Sequence, residues 1–146
     1  MMPKSYRNFA ALNASDLSSI KKEDVVGSGD TDFIGDYLKT VADQGDEAHA
    51  EFVDEYFRKN FRKLSKEQAV SIVGKLGQID EPVACLDKFW IWETLEEAIR
   101  GEIDTLSNEE LGTTMKVFAT NYKGSPDLLD MAQIRIYSDV SDLFAK

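Results

Sequence analysis

Residues able to carry acid–base or nucleophilic chemistry are few in this sequence. His49 is the only histidine among 146 residues, so any imidazole general base must be this one. Glu51 and Asp54 follow it closely but make no recognisable catalytic spacing. His49 also precedes Phe52 and Val53 by one turn of an amphipathic pattern, which suits a boundary histidine. Cys85 is the only cysteine, so no internal disulfide can form. A helix dipole would lower its pKa if it were exposed, whereas its apolar neighbours predict a buried small hydrophobe. One cysteine and one histidine are too few ligands for a structural zinc site. Asp30-Thr31-Asp32-Phe33-Ile34-Gly35 opens like a calcium loop, but Ile34 and Val41 fill the fifth and twelfth positions, which need oxygen ligands. Asp30 is therefore expected to cap a helix. Glu93, Glu96, Glu97 and Glu102 could supply a carboxylate pair, and they equally match a solvated helix face. No phosphate-cradling glycine loop or nucleophile motif occurs. The sequence thus assigns no catalytic residue, cofactor or metal ligand. An enzymatic reading would rest on His49 and its neighbouring carboxylates.

Binding chemistry is better represented. Arg58, Lys59, Arg62, Lys63 and Lys66 put five bases into residues 58–66 with no acid, and Phe57 and Phe61 interleave. Such a segment suits an acidic partner or phosphate groups. It equally suits a helix C-terminus, where cations complement the dipole. The whole chain carries 27 acids and 17 bases, a net of −10; without the five bases of this segment, 12 bases remain and the net is −15. The acidic balance argues against a general nucleic-acid binder, which needs basic surface, and against adsorption to anionic lipid. Phe89-Trp90-Ile91-Trp92 wraps aromatics around a helix at about 100° per residue. Phe89 and Trp92 are candidate anchors for another protein, with burial between stacked neighbours as the competing expectation.

These groups need helices to position them. Apolar spacing predicts helices over about 31–44, 46–63, 66–76 and 82–102, with two more lined by Leu111, Met115, Phe118 and Tyr122 and by Leu129, Ala132, Ile136, Val140 and Leu143. Pro82 and Pro126 are each expected at a first helical position. Residues 23–32 read as a loop. Ile134-Arg135-Ile136-Tyr137 alternates like a strand but lies inside a helical pattern, and is taken as helix. Leu64-Ser65-Lys66-Glu67-Gln68 recurs as Leu106-Ser107-Asn108-Glu109-Glu110, 42 residues later. That repeat predicts three hairpins, each a shorter helix followed by a longer one. A hairpin cannot bury its apolar face alone, so neighbours must stack, and the end faces are left for a partner to cover.

Through these two motifs and the helix alternation over about 31–145, the chain resembles the helical-hairpin repeat proteins of organelles, the pentatricopeptide-like and octotricopeptide-like classes. The resemblance implies stacked antiparallel helix pairs, and either RNA binding or service as an accessory subunit of a mitochondrial complex. The acidic balance departs from the RNA-binding members, and no base-reading residues carry over.

The expectation is an all-α protein: a short solenoid of about three helical hairpins, or an equivalent compact bundle, over residues 30–146, preceded by an arm and loop at 1–29. No run approaches the roughly 20 apolar residues of a membrane span. Residues 1–15 hold Lys4 and Arg7 and no acid, which suits a short mitochondrial targeting sequence as well as a plain arm. The expected function is non-catalytic docking to other subunits of a larger assembly, in the mitochondrion first and the cytoplasm second. RNA binding and a small enzyme are the alternatives.

Overall fold

Seven α-helices account for nearly all the regular structure in the computed structural model, which describes residues 13–145. They are α1 (Lys22–Val26), α2 (Thr31–Gln44), α3 (Glu47–Lys59), α4 (Lys66–Leu76), α5 (Phe89–Arg100), α6 (Asn108–Thr120) and α7 (Pro126–Ala145). Short 3-10 turns lie at Leu17–Ser19, Ala84–Leu86 and Ile103–Thr105. The described residues contain no strand, so the all-α expectation holds, and Ile134–Tyr137 is helical. Lys4, Arg7 and the rest of residues 1–12 lie outside the described residues.

The helices form two layers. α2, α4 and α6 lie side by side in one, and α1, α3, α5 and α7 in the other; α2 packs on α3 and α4 on α5 across the layers. Several polar contacts between successive hairpins share one offset. Ser71 Oγ donates to Asp32 (3.4 Å), Lys39 Nζ donates to Gln78 Oε1 (2.6 Å), and each pair is 39 residues apart. Lys75 pairs with Asp36 at 2.8 Å at the same separation. The 39-residue step recurs where Lys66 Nζ donates to Thr105 Oγ1 and Lys116 Nζ to the Gly77 carbonyl, both at 3.2 Å. Corresponding helices therefore run parallel from one hairpin to the next, the geometry of a stacked repeat.

The repeated five-residue motif is a pair of helix caps. Ser65 Oγ accepts from Gln68 N while Gln68 Oε1 accepts from Ser65 N. Ser107 and Glu110 do the same at the start of α6. Each motif is a capping box, satisfying two of the backbone donors a helix start leaves open. Asp30 caps α2 by accepting from the N–H groups of Asp32 and Phe33, as expected. Gly45 ends α2 at φ 64°, a left-handed position that glycine occupies without steric cost.

Four features differ from the sequence expectation. Leu17, Ile20 and Val25 are buried in the common core and α1 packs on α3, so the packed body begins well before residue 30. The short–long alternation is absent from the first hairpin, where α2 has 14 residues and α3 has 13. Pro82 does not begin a helix. After it the chain makes the Ala84–Leu86 turn, which buries Cys85 and Leu86, and α5 starts only at Phe89. The start is fixed from another helix, because Asp54 of α3 accepts from Trp90 N at 2.9 Å.

The last difference concerns α7. Leu128 and Ala132 are its buried residues, and Arg135 reaches back to the Ile103 carbonyl at 2.7 Å. Ile136, Val140 and Leu143, expected to line the core, are instead exposed. α7 packs on α5 and the Ile103–Thr105 turn, and every described side chain from 136 to 144 faces solvent.

Candidate protein-docking surface

The basic segment occupies the end of α3 and the turn into α4. Arg58 and Lys59 close the last turn of α3, where their charge complements the helix dipole. The Asn60 side-chain amide then donates to the Tyr56 carbonyl at 2.8 Å, and Arg62 takes a left-handed backbone at φ 64°. For a residue with a Cβ this region is sparsely populated. The Arg62 guanidinium lies 5.1 Å from the centre of the Phe61 ring, and Nε is 3.5 Å from Glu97. Arg58, Lys59 and Lys63 are exposed and make no ion pair with a described residue. Lys66 differs from them: it is largely covered, bonded to Thr105 and 3.7 Å from Glu67.

The aromatic run divides. Phe89 is 65% exposed, whereas Trp92 is 6% exposed. Trp92 Nε1 donates to the Leu86 carbonyl at 2.8 Å, and its ring meets Phe118 edge-on at 5.4 Å. Trp92 is thus a core residue and not a surface anchor. Phe89 stands over Trp90, with centroids 4.9 Å apart, and Trp90 meets Phe61 at 5.5 Å. Phe89, Trp90, Phe61 and Arg62 therefore form one continuous ladder. The fold brings the exposed aromatic and the basic turn together, although 27 residues separate Arg62 from Phe89 in the chain.

A cleft of about 550 Å³ lies behind this turn, lined by Arg62, Lys66, Glu67, Glu97 and Glu102 among others. Its three carboxylates oppose its two cations, so it does not concentrate one sign of charge.

The groups with catalytic potential do not converge. His49 Nδ1 is hydrogen-bonded to the Tyr37 hydroxyl, and its ring sits edge-on between Tyr37 and Phe52. Burial, with the Asp46 charge adding to it, pushes the Tyr37 phenol far above its ordinary value. Glu51 is taken by Lys88 at 2.9 Å and Asp54 by the start of α5, so neither faces the imidazole. Cys85 is buried 3.6 Å from the Val41 carbonyl, and burial raises its thiol pKa, as does the charge of Glu47. Glu96 serves a structural bond: it accepts from Ser125 N (2.8 Å) and Ser125 Oγ (2.6 Å) and pairs with Arg100. No three His, Cys, Asp or Glu side chains gather as a metal site among the described residues. No described helix is long and apolar enough to cross a membrane.

The repeat predicts uncovered apolar faces at the ends of the stack, but the sequence does not assign one to the outer surface of α7. Ile136 (49%), Val140 (44%) and Leu143 (71%) are open, as are Ile134, Tyr137 and Phe144. Their spacing marks an amphipathic helix, which does not say whether the apolar side meets the same chain or another. The signal available was positional: each inner helix of the stack has a neighbour on both sides, and α7 ends its layer. No family model, curated protein or solved structure matches the chain.

Proposed function

We propose that this protein is a non-catalytic accessory or scaffold subunit of a larger protein assembly, acting by docking. The observation that carries this reading is the apolar side of α7, exposed at the edge of an otherwise well-packed helical stack. Contiguous exposed apolar surface is costly in a free protein and characteristic of interaction sites. The basic turn with Phe89 offers a second contact of different chemistry, cationic and aromatic rather than apolar. A mitochondrial assembly is the location favoured, supported by the acid-free composition of residues 1–15.

Affinity purification at endogenous level, read by mass spectrometry, tests the proposal. A defined set of co-purifying subunits in constant ratio is the expected result; a free chain with no stable partner removes the reading. RNA binding is the second reading, favoured by Arg58, Lys59 and Lys63, which have no ion-pair partner among the described residues and adjoin the turn that carries the Phe89 ladder, since phosphate contact and base stacking need those groups. It requires salt-sensitive RNA binding that weakens when Arg58, Lys59, Arg62 and Lys63 are neutralised. Absence of binding at low salt excludes it.

A further inference from the structure

We propose that the outer side of α7 docks a basic amphipathic helix from another protein, which would lie in the layer formed by α1, α3, α5 and α7. This rests on the accessory-subunit reading and names the chemistry of the partner. At about 100° per residue, Leu129, Ile136, Tyr137, Val140, Leu143 and Phe144 share one stripe roughly 120° wide. All six are exposed. From Leu129 to Leu143 the stripe runs roughly 21 Å at 1.5 Å per residue, the length of an ordinary helix. The stack supplies the shape of the occupant. α3 lies between α1 and α5, and α5 between α3 and α7, while α7 packs on α5 alone within that layer among the main contacts. A helix is what each of the other positions in the layer holds, and apolar anchors three and four residues apart are how one helix reads another.

Charge supplies the chemistry. Asp139 borders the stripe on one side and Asp130 on the other, and Asp127 and Asp142 add to the field of the same helix. Arg135 is the single described cation of α7, and it is turned inward, bonded to the Ile103 carbonyl and Asn108 Oδ1 and 3.5 Å from Asp139. With Asp139 offset by Arg135, Asp130 is the open carboxylate at the border of the stripe. The four aspartates against one arginine leave the described part of α7 net acidic, so a Lys- or Arg-flanked apolar row complements it. A second copy would bring the same carboxylates together across the interface, in a chain already at −10, so self-pairing is disfavoured.

The test uses the full chain and two model peptides of about three heptads, with leucine at a and d and either lysine or glutamate at e and g. Binding is followed by fluorescence anisotropy. The lysine peptide is expected to bind, more weakly as salt rises, and the glutamate peptide at least about tenfold more weakly. The double change Ile136→Asp and Val140→Asp, and separately Leu143→Asp, should each weaken the lysine peptide about tenfold. Their thermal midpoints should stay near wild type, because these side chains lie outside the core; Leu143→Asp serves if the double variant misfolds. Asp130→Lys should narrow the preference between the peptides. Equal binding of both peptides, binding of neither, or binding that survives both α7 variants overturns the proposal. So does a wild-type dimer that the double variant dissociates, which would make a second copy the occupant. Endogenous purification of the double variant separates the two levels. Partners retained with it remove this inference and leave the accessory reading standing; partners absent from the wild type remove the reading beneath it.

Discussion

Glu96 illustrates how much one side chain can decide in this protein. It is a buried carboxylate on α5 that accepts two hydrogen bonds from Ser125 at the start of α7 and pairs with Arg100. Glu96→Ala leaves the part-buried Ser125 donors without their acceptor, and hydrogen bonds to charged groups contribute about 1.5–3 kcal/mol each. A loss of about 2–3 kcal/mol is expected in urea unfolding, with Glu96→Gln losing less. The two aromatics proposed together as anchors should separate in the same assay. Trp92→Ala should cost about 3–5 kcal/mol as a core truncation, and Phe89→Ala within about 0.5 kcal/mol as a surface change. Their difference was not legible in the sequence. Three residues apart on a helix, both had neighbours that could bury them, and only the placement of Leu86 and Phe118 decides which one does. Two buried tyrosines set an alkaline limit. Burial, helped by the charge of Asp30, pushes Tyr56 up to about 12, and Tyr37 rises further in the same direction. An unfolded tyrosine ionises near pH 10, so across roughly pH 10 to 12 the folded protein holds protons the unfolded chain has lost. The stabilisation is full below pH about 10 and is lost as pH rises through the folded value. Tyr56→Phe, with no phenolic proton, should lessen the pH dependence of urea unfolding in that window.

Helix boundaries were legible where the cap is local and hidden where it is not. Ser65 with Gln68, and Ser107 with Glu110, are written within four residues of sequence, and both form capping boxes. Ser65→Ala and Ser107→Ala should each lower stability by about 1 kcal/mol, by similar amounts because the two caps are equivalent. The start of α5 was misplaced because its acceptor, Asp54, is 36 residues away on α3. Nothing near Phe89 announces it, and Pro82 offered a plausible start that the buried Ala84–Leu86 turn overrides. Asp54→Ala should cost stability comparable to loss of a cap, about 1–2 kcal/mol, and should fray the first turn of α5. Hydrogen exchange should accelerate most at Trp90 and Ile91, beyond the smaller rise that the loss of global stability brings elsewhere. The first helix, α1, was missed for another reason. It spans five residues, too few for a periodicity to register, and it exists because Val25 buries itself against α3.

At the scale of the molecule, the repeat pointed to stacked helices with open end faces, but not to which residues form the open face of α7. The pattern over α7 is the same whether the stripe meets this chain or another, since amphipathicity records that a face is covered and not by what. Charge completes the picture. The net −10 is unevenly placed: the basic turn at 58–63 holds exposed cations, of which Arg58, Lys59 and Lys63 make no ion pair with a described residue, while the described part of α7 is net acidic beside its apolar stripe. Two surfaces of opposite charge suit a subunit that bridges neighbours. The most direct measurement is the native mass of the protein in an extract of the cells that make it, by size-exclusion chromatography at endogenous level. Elution within an assembly far above 16.4 kDa, with the Ile136→Asp and Val140→Asp variant shifted toward the free chain, is the predicted result. Wild-type protein eluting as a 16.4 kDa monomer contradicts the account.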